Sequence, residues 1–122
     1  MNDLQVMPEF SSQARIVLTS LGSAKDASRL ARTLVEERLA ACVTILPGAA
    51  SIYRWKDKLE TADEVVLLIK TTEDQLAALE KRLKELHSYE TPEFLVLKVE
   101  GGSEEYLAWL TSSVGGSQGE SG

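Results

Sequence analysis

The segment from Glu64 to Thr71, EVVLLIKT, holds five consecutive apolar residues, Val65 to Ile69, between polar ends. A short run rich in β-branched and aliphatic side chains reads as a strand. Successive strand side chains point to opposite faces, so this strand is apolar on both. An antiparallel sheet with one face in water would instead alternate apolar and polar residues. Whatever sheet contains this strand must therefore be covered on two sides. Val43, Ile45 and Leu46 in one neighbouring strand, and Phe94, Leu95, Val96, Leu97 and Val99 in another, lean the same way.

The rest of the chain supplies cover for one side. ARIVLTSL (14–21) predicts a first strand, ended by Gly22. Ser23 is placed to cap a helix over about 24–39, with Ala27, Leu30, Ala31, Leu34, Val35 and Leu39 on one stripe. A second strand, about 41–56, is interrupted at Pro47-Gly48, where a bend or bulge is expected because proline cannot donate to a ladder. WKDKLET reads as a polar turn before the third strand, 64–71. Thr72 and Gln75 have capping-box spacing for a second helix, whose Leu76, Leu79, Leu83 and Leu86 run along one face. His87 to Pro92 breaks that helix, EFLVLKVE (93–100) is a fourth strand, and Ser103 caps a short helix over about 103–113.

This β-α-β-β-α-β order with a terminal helix defines an α+β, ferredoxin-like domain with an antiparallel sheet. Helices cover one sheet face, and the last helix is too short to cover the other. Further copies of the chain are the expected cover, so the sequence predicts an oligomer. The domain is expected over 14–114, with a flexible arm at 1–13 and a disordered Gly/Ser-rich tail at 115–122.

Composition narrows the function classes. A net charge of −6 opposes a broad phosphate-binding face, and Arg54, Lys56 and Lys58 are too few to change that, so no nucleic-acid partner is expected. No membrane partner is expected either: MNDLQVMPEF has neither the basic start nor the apolar region of a secretion signal, and no window approaches the roughly 20 apolar residues of a membrane span. The single cysteine cannot form an intrachain disulfide and fits a reducing, cytoplasmic setting. GxSxG, Walker and HExxH motifs are absent from the sequence, and no carboxylate pair is set apart for acid–base work, so no enzymatic activity and no organic cofactor are expected.

Several spaced motifs together resemble the CutA family of divalent-cation-tolerance proteins. They are Leu39-Ala40-Ala41-Cys42-Val43 with Pro47-Gly48, then Ser51, Tyr53, Trp55 and Lys58, then Ile69-Lys70-Thr71. His87-Ser88-Tyr89-Glu90-Thr91-Pro92-Glu93 resembles the family's HPYE-x-PE signature, and Tyr106-Leu107 with Trp109-Leu110 its closing motif. The resemblance implies a ferredoxin-like subunit in a homotrimer that exchanges its long kinked strand between neighbours, a link to divalent metals and above all copper(II), and no catalysis. It also implies kinship in architecture with the PII signalling trimers, so the alternative is a signalling, interaction or anchoring trimer using the cleft between subunits without functional metal. In some bacterial members copper is attributed to a first-strand cysteine and a paired His-His; the matching positions here are Leu18 and Leu86, leaving His87.

Cys42 reads either as a soft metal ligand, repeated in an assembly, or as a small buried residue in an Ala-rich strand. His87 reads either as a metal ligand, joined by Glu90, Glu93 or another subunit, or as a helix-end residue meeting unsatisfied carbonyls. Tyr53, Trp55, Tyr89, Tyr106 and Trp109, with Lys58, Lys70 and Glu90 as polar groups, read either as a pocket between subunits or as interface packing.

Overall fold

The structure is a computed structural model that describes residues 13–116. The expected arm and tail lie outside the described residues except for Gln13, Gly115 and Gly116. The elements are β1 (Ala14–Leu21), α1 (Ala24–Glu36), β2 (Cys42–Trp55), β3 (Lys58–Thr72), α2 (Leu76–Leu86), β4 (Leu95–Lys98) and α3 (Glu104–Ser112). The strands form one antiparallel sheet in the order β2-β3-β1-β4, the ferredoxin-like arrangement expected from the element order.

Local chemistry sets most of the boundaries. Ser23 Oγ accepts the Asp26 amide at 3.1 Å and starts α1. The helix stops at Glu36, short of the expected residue 39, because Arg38 turns left-handed with φ +61°. Ala27, Leu30, Ala31 and Leu34 are buried, whereas Val35 stays exposed. The capping box expected at Thr72 does not form. A 3₁₀ turn, Glu73–Gln75, precedes α2, and the Thr72 hydroxyl donates to the Asp74 carboxylate instead of accepting from an amide. Leu79 and Leu83 are buried, but Leu86 at the end of the face is exposed.

Two strand boundaries also differ from expectation. WKDKLET is not a long turn: Lys56 and Asp57, both with positive φ, make a two-residue hairpin, and β3 resumes at Lys58 opposite Trp55. That is the primed-turn geometry usually signalled by Asn-Gly or Asp-Gly, which Lys-Asp does not announce. β4 has four residues rather than eight, pairing only with Arg15 to Leu18 of β1. Farther along β1, the Ser20 carbonyl accepts a hydrogen bond from His87 Nε2 at 2.8 Å rather than from a longer β4.

Register assigns the faces, since directly opposed residues in a ladder share a side. Val17, Leu21, Val65, Leu67 and Ile69 lie on the helix side, packed with Leu30, Leu34, Leu79 and Leu83 into the main core. A smaller cluster, Ala14, Ala41, Leu107 and Leu110, seats α3 at one end of the sheet. Arg38 ties that helix down: its carbonyl accepts the Gly115 amide, and its guanidinium donates to the carbonyls of Gly115 and Ser112. The other sheet face is open except at its Ala14 end, where α3 packs. Leu97, Ile16, Lys70 and Cys42 form one row across it, Leu95, Leu18, Leu68 and Thr44 the next, and Ser20, Val66 and Leu46 a third.

Past that third row, the Pro47-Gly48 break decides which β2 side chains reach the open face. Leu46 pairs with Val66 and Ala49 with Glu64, so Pro47 and Gly48 together oppose one residue of β3. This β-bulge shifts the alternation of β2 by one. Without it Ala50, Ile52 and Arg54 would succeed Leu46 on the open face. With it Ser51, Tyr53 and Trp55 do, opposite Ala62, Glu60 and Lys58. Beyond the bulge β2 and β3 run on as a two-stranded ribbon past the end of β1.

Gly48 holds φ +81°, and a Cβ there would touch nothing within 4 Å. Gly48→Ala is expected to cost about 1–2 kcal/mol through backbone strain alone, measured by denaturant unfolding. An unchanged midpoint would show that the bulge relaxes without glycine.

Candidate functional site

A groove of about 730 Å³ opens on the uncovered face where the ribbon leaves the sheet. The ribbon supplies Ser51, Tyr53, Trp55, Glu60, Ala62 and Glu64, and the segment after α2 supplies Tyr89, Glu90, Thr91 and Glu93. Three aromatic rings and four carboxylates thus face one space, and none of the lining residues is a lysine or arginine. Ser51 Oγ donates to Glu64 Oε1 at 2.7 Å and fixes that carboxylate against the ribbon. Burial raises the Tyr89 phenol above its ordinary ionisation range, helped by the nearby Glu64 charge and by Tyr53. At neutral pH it is therefore an O–H donor beside carboxylates.

His87 anchors the segment that forms this wall. Its amide donates to Leu83 O and closes α2. Its buried ring contacts Ser20 O through Nε2 at 2.8 Å and accepts the Tyr89 amide at Nδ1, 3.0 Å away. A carbonyl on one side and an N–H on the other place the ring hydrogen on Nε2. Both nitrogens are occupied, and the ring meets the end of β1 rather than the helix-end carbonyls. The Tyr89 ring stacks obliquely on it, 4.8 Å between centroids.

The other predicted residues lie elsewhere. Cys42, half-buried, shares the row of Lys70 and Ile16, which lies about 13 Å along β1 from Ser20 at about 3.3 Å per residue. It also sits two strands across the sheet, about 9.6 Å more at about 4.8 Å per strand, so it is roughly 16 Å from the His87 anchor. Within one subunit Cys42 and His87 are therefore too far apart to bind the same ion. Among the described residues no three His, Cys, Asp or Glu side chains converge as a metal site. Lys70 Nζ lies 5.9 Å from the Tyr106 ring centroid, and Tyr106 is 5.4 Å from Trp109. The expected pocket residues therefore fall into two groups. Tyr53, Trp55, Tyr89 and Glu90 line the groove, while Lys70, Tyr106 and Trp109 cluster at the opposite end of the face. Lys58 faces the same side as Trp55 but does not line the groove.

Sequence reasoning missed Ser20, Ser51, Glu60 and Glu64 as site residues. Glu60 was hidden inside the expected turn. Ser51 joins the groove only because the bulge sets its face, while Glu64 is placed there by the unbroken alternation of β3 with Val66 and Leu68. The signal available was Pro47-Gly48 itself, had its effect on strand phase been traced as far as Trp55.

Fold and groove define a ferredoxin-like α+β protein with an aromatic, acidic recess on an uncovered sheet face. The family model described as CutA1 divalent ion tolerance protein matches residues 15–113, and the chain belongs to that family. It is 50% identical over 101 residues to the divalent-cation tolerance protein CutA of Pectobacterium atrosepticum, covering 83% of this chain and 92% of that protein. The Thermus thermophilus CutA is 45% identical over 100 residues, covering 82% and 97%. Among solved structures, the divalent cation tolerance protein Cut A1 from Thermus thermophilus superposes with a TM-score of 0.82 at 44% identity, over 84% of this chain and 99% of that one. CutA1 from Oryza sativa gives 0.84 at 38% identity, over 89% and 100%.

Two outcomes are expected from the groove wall. His87→Ala leaves a buried carbonyl and the Tyr89 amide unpaired, so it is expected to lower stability by about 1–3 kcal/mol in denaturant unfolding. A neutral effect would contradict the anchoring role. Because the folded Tyr89 ionises above its unfolded value, its contribution to stability is present below about pH 10 and is lost as pH rises through the folded value. Alkaline absorbance titration of the three tyrosines is expected to show a high-pH component that Tyr89→Phe removes.

Proposed function

We propose that this protein acts in divalent-cation tolerance as a cytoplasmic homotrimer, by binding rather than by catalysis. The observation that carries the assembly is the uncovered sheet face, whose central rows bring together Ile16, Leu18, Val66, Leu68, Leu95 and Leu97. A contiguous apolar face of this kind marks an interaction surface. The ion, with copper(II) the first candidate, is held where copies meet. There each carboxylate and Cys42 recurs by symmetry, and His87 serves as a structural anchor rather than a ligand. Carboxylate oxygens also accept other divalent cations, so copper has competitors.

Light scattering is expected to give three times the 13.4 kDa of one chain at micromolar concentration; a monomer contradicts the proposal. Copper titration of folded His87→Ala is expected to match the wild type within about twofold. A tenfold loss (about 1.4 kcal/mol) returns the ion to that ring.

A second reading is favoured by the groove itself. Three aromatic rings beside polar groups suit a small ligand or partner segment, held by an assembly of the PII type with no metal involved. A ligand-induced thermal shift that survives chelation supports it.

A further inference from the structure

The uncovered face carries two charged poles that cannot meet within one subunit. At one pole Lys70 stands in the row of Leu97, Ile16 and Cys42. Its ammonium lies over the Tyr106 ring, and among the described residues it has no carboxylate within ion-pair distance. At the other pole Glu60, Glu64, Glu90 and Glu93 line the groove without a cation among them. Glu64 and Lys70 lie on the same strand six residues apart, and Glu60 is ten away. An extended strand separates them by roughly 20 and 33 Å. Between the poles that strand is paired with β2 from Lys58 to Lys70 on either side of the bulge, so the chain cannot fold back to neutralise either pole.

Everything between the poles is apolar or small: Val66, Leu68, Leu18, Ile16, Leu46 and Thr44. Covering that surface removes water from both poles. An ammonium deprived of water without a counter-charge is strongly unfavourable, so the covering molecule must bring a carboxylate to Lys70. It must also bring a cation to the groove. A second copy of this chain carries both on the same face, at opposite ends. A head-to-tail contact between two different patches is also the kind that closes cyclic assemblies.

We propose that the acidic groove of one copy receives the Lys70 end of the next, with the Lys70 ammonium among Glu60, Glu64 and the neighbouring carboxylates, and Tyr106 and Trp109 packed against Tyr53 and Trp55. The residues expected from sequence as one intersubunit pocket are then two halves of one site, completed only by the neighbouring copy. This inference rests on the homotrimeric reading above and names the residues that join its subunits.

Charge exchange in the full chain tests it, with assembly monitored by light scattering and native mass spectrometry, and folding by circular dichroism. K70E and the double variant E60K/E64K are each expected to weaken subunit association by about thirtyfold or more, as loss of one partner of a desolvated charge pair does. The triple variant K70E/E60K/E64K restores opposite charges across the contact and is expected to recover association to within about tenfold of the wild type. K70M keeps the apolar stem of Lys70 while leaving the carboxylates unpaired, so it is expected to associate more weakly than the wild type and separates lost charge from lost packing. Folded K70E and E60K/E64K variants that assemble as tightly as the wild type overturn the pairing. So does a folded triple variant that fails to recover, and the groove carboxylates are then left to a diffusible cation. A monomeric wild type instead overturns the trimeric reading itself, which keeps the two failures distinct.

Discussion

The central strand β3 is apolar on both faces from Val65 to Ile69, and α1 and α2 lie on only one of them. On the helix side Leu67 and Ile69 are fully buried against α1 and α2. Each such side chain contributes about 1.5–3 kcal/mol relative to remaining in water, which fixes the sheet's orientation and the seats of both helices. On the other side Val66 and Leu68 continue an apolar surface across β1 and β4 that no element of the same subunit covers. The fold is satisfied within one chain; the sheet is not.

The bulge at Pro47-Gly48 links that surface to a site. By shifting the alternation of β2 by one residue, it carries the open face out along the ribbon with Ser51, Tyr53 and Trp55 rather than Ile52 and Arg54. His87 supplies the facing wall, because its ring bridges the end of β1 and the Tyr89 amide and so holds Tyr89, Glu90 and Glu93 over the ribbon. Within the subunit the His87 ring is a structural clasp, and the Pro47-Gly48 pair determines which β2 side chains share the groove. The ribbon's far side is also apolar and exposed, at Ile52 and Leu59. These side chains give the ribbon a second apolar surface, on the side away from the groove.

Much of this was legible in the residues. The element order, the Ser23 and Ser103 caps, the break at Pro47-Gly48 and the two-sided apolar strand all act through local chemistry or a simple period. What escaped depends on non-local geometry. The Lys56-Asp57 hairpin uses two residues in left-handed conformations that their side chains do not advertise. Thr72 had capping spacing but found Asp74 instead of a helix amide. Glu60 and Glu64 are ordinary acidic residues in sequence and became groove residues only once register was fixed. The separation of Cys42 from His87 comes from strand pairing, which spacing along the chain does not encode.

The central claim is that the uncovered face is buried in the working assembly. The chain has two tryptophans, Trp55 and Trp109, at opposite ends of that face. In a single subunit they are 60% and 45% exposed. Fluorescence of the wild-type protein at micromolar concentration is therefore the direct measurement, with iodide and acrylamide as quenchers. Burial between copies predicts blue-shifted emission that resists both quenchers and becomes accessible only on dissociation. Red-shifted emission, freely quenched at concentrations where the protein is folded, would contradict the account.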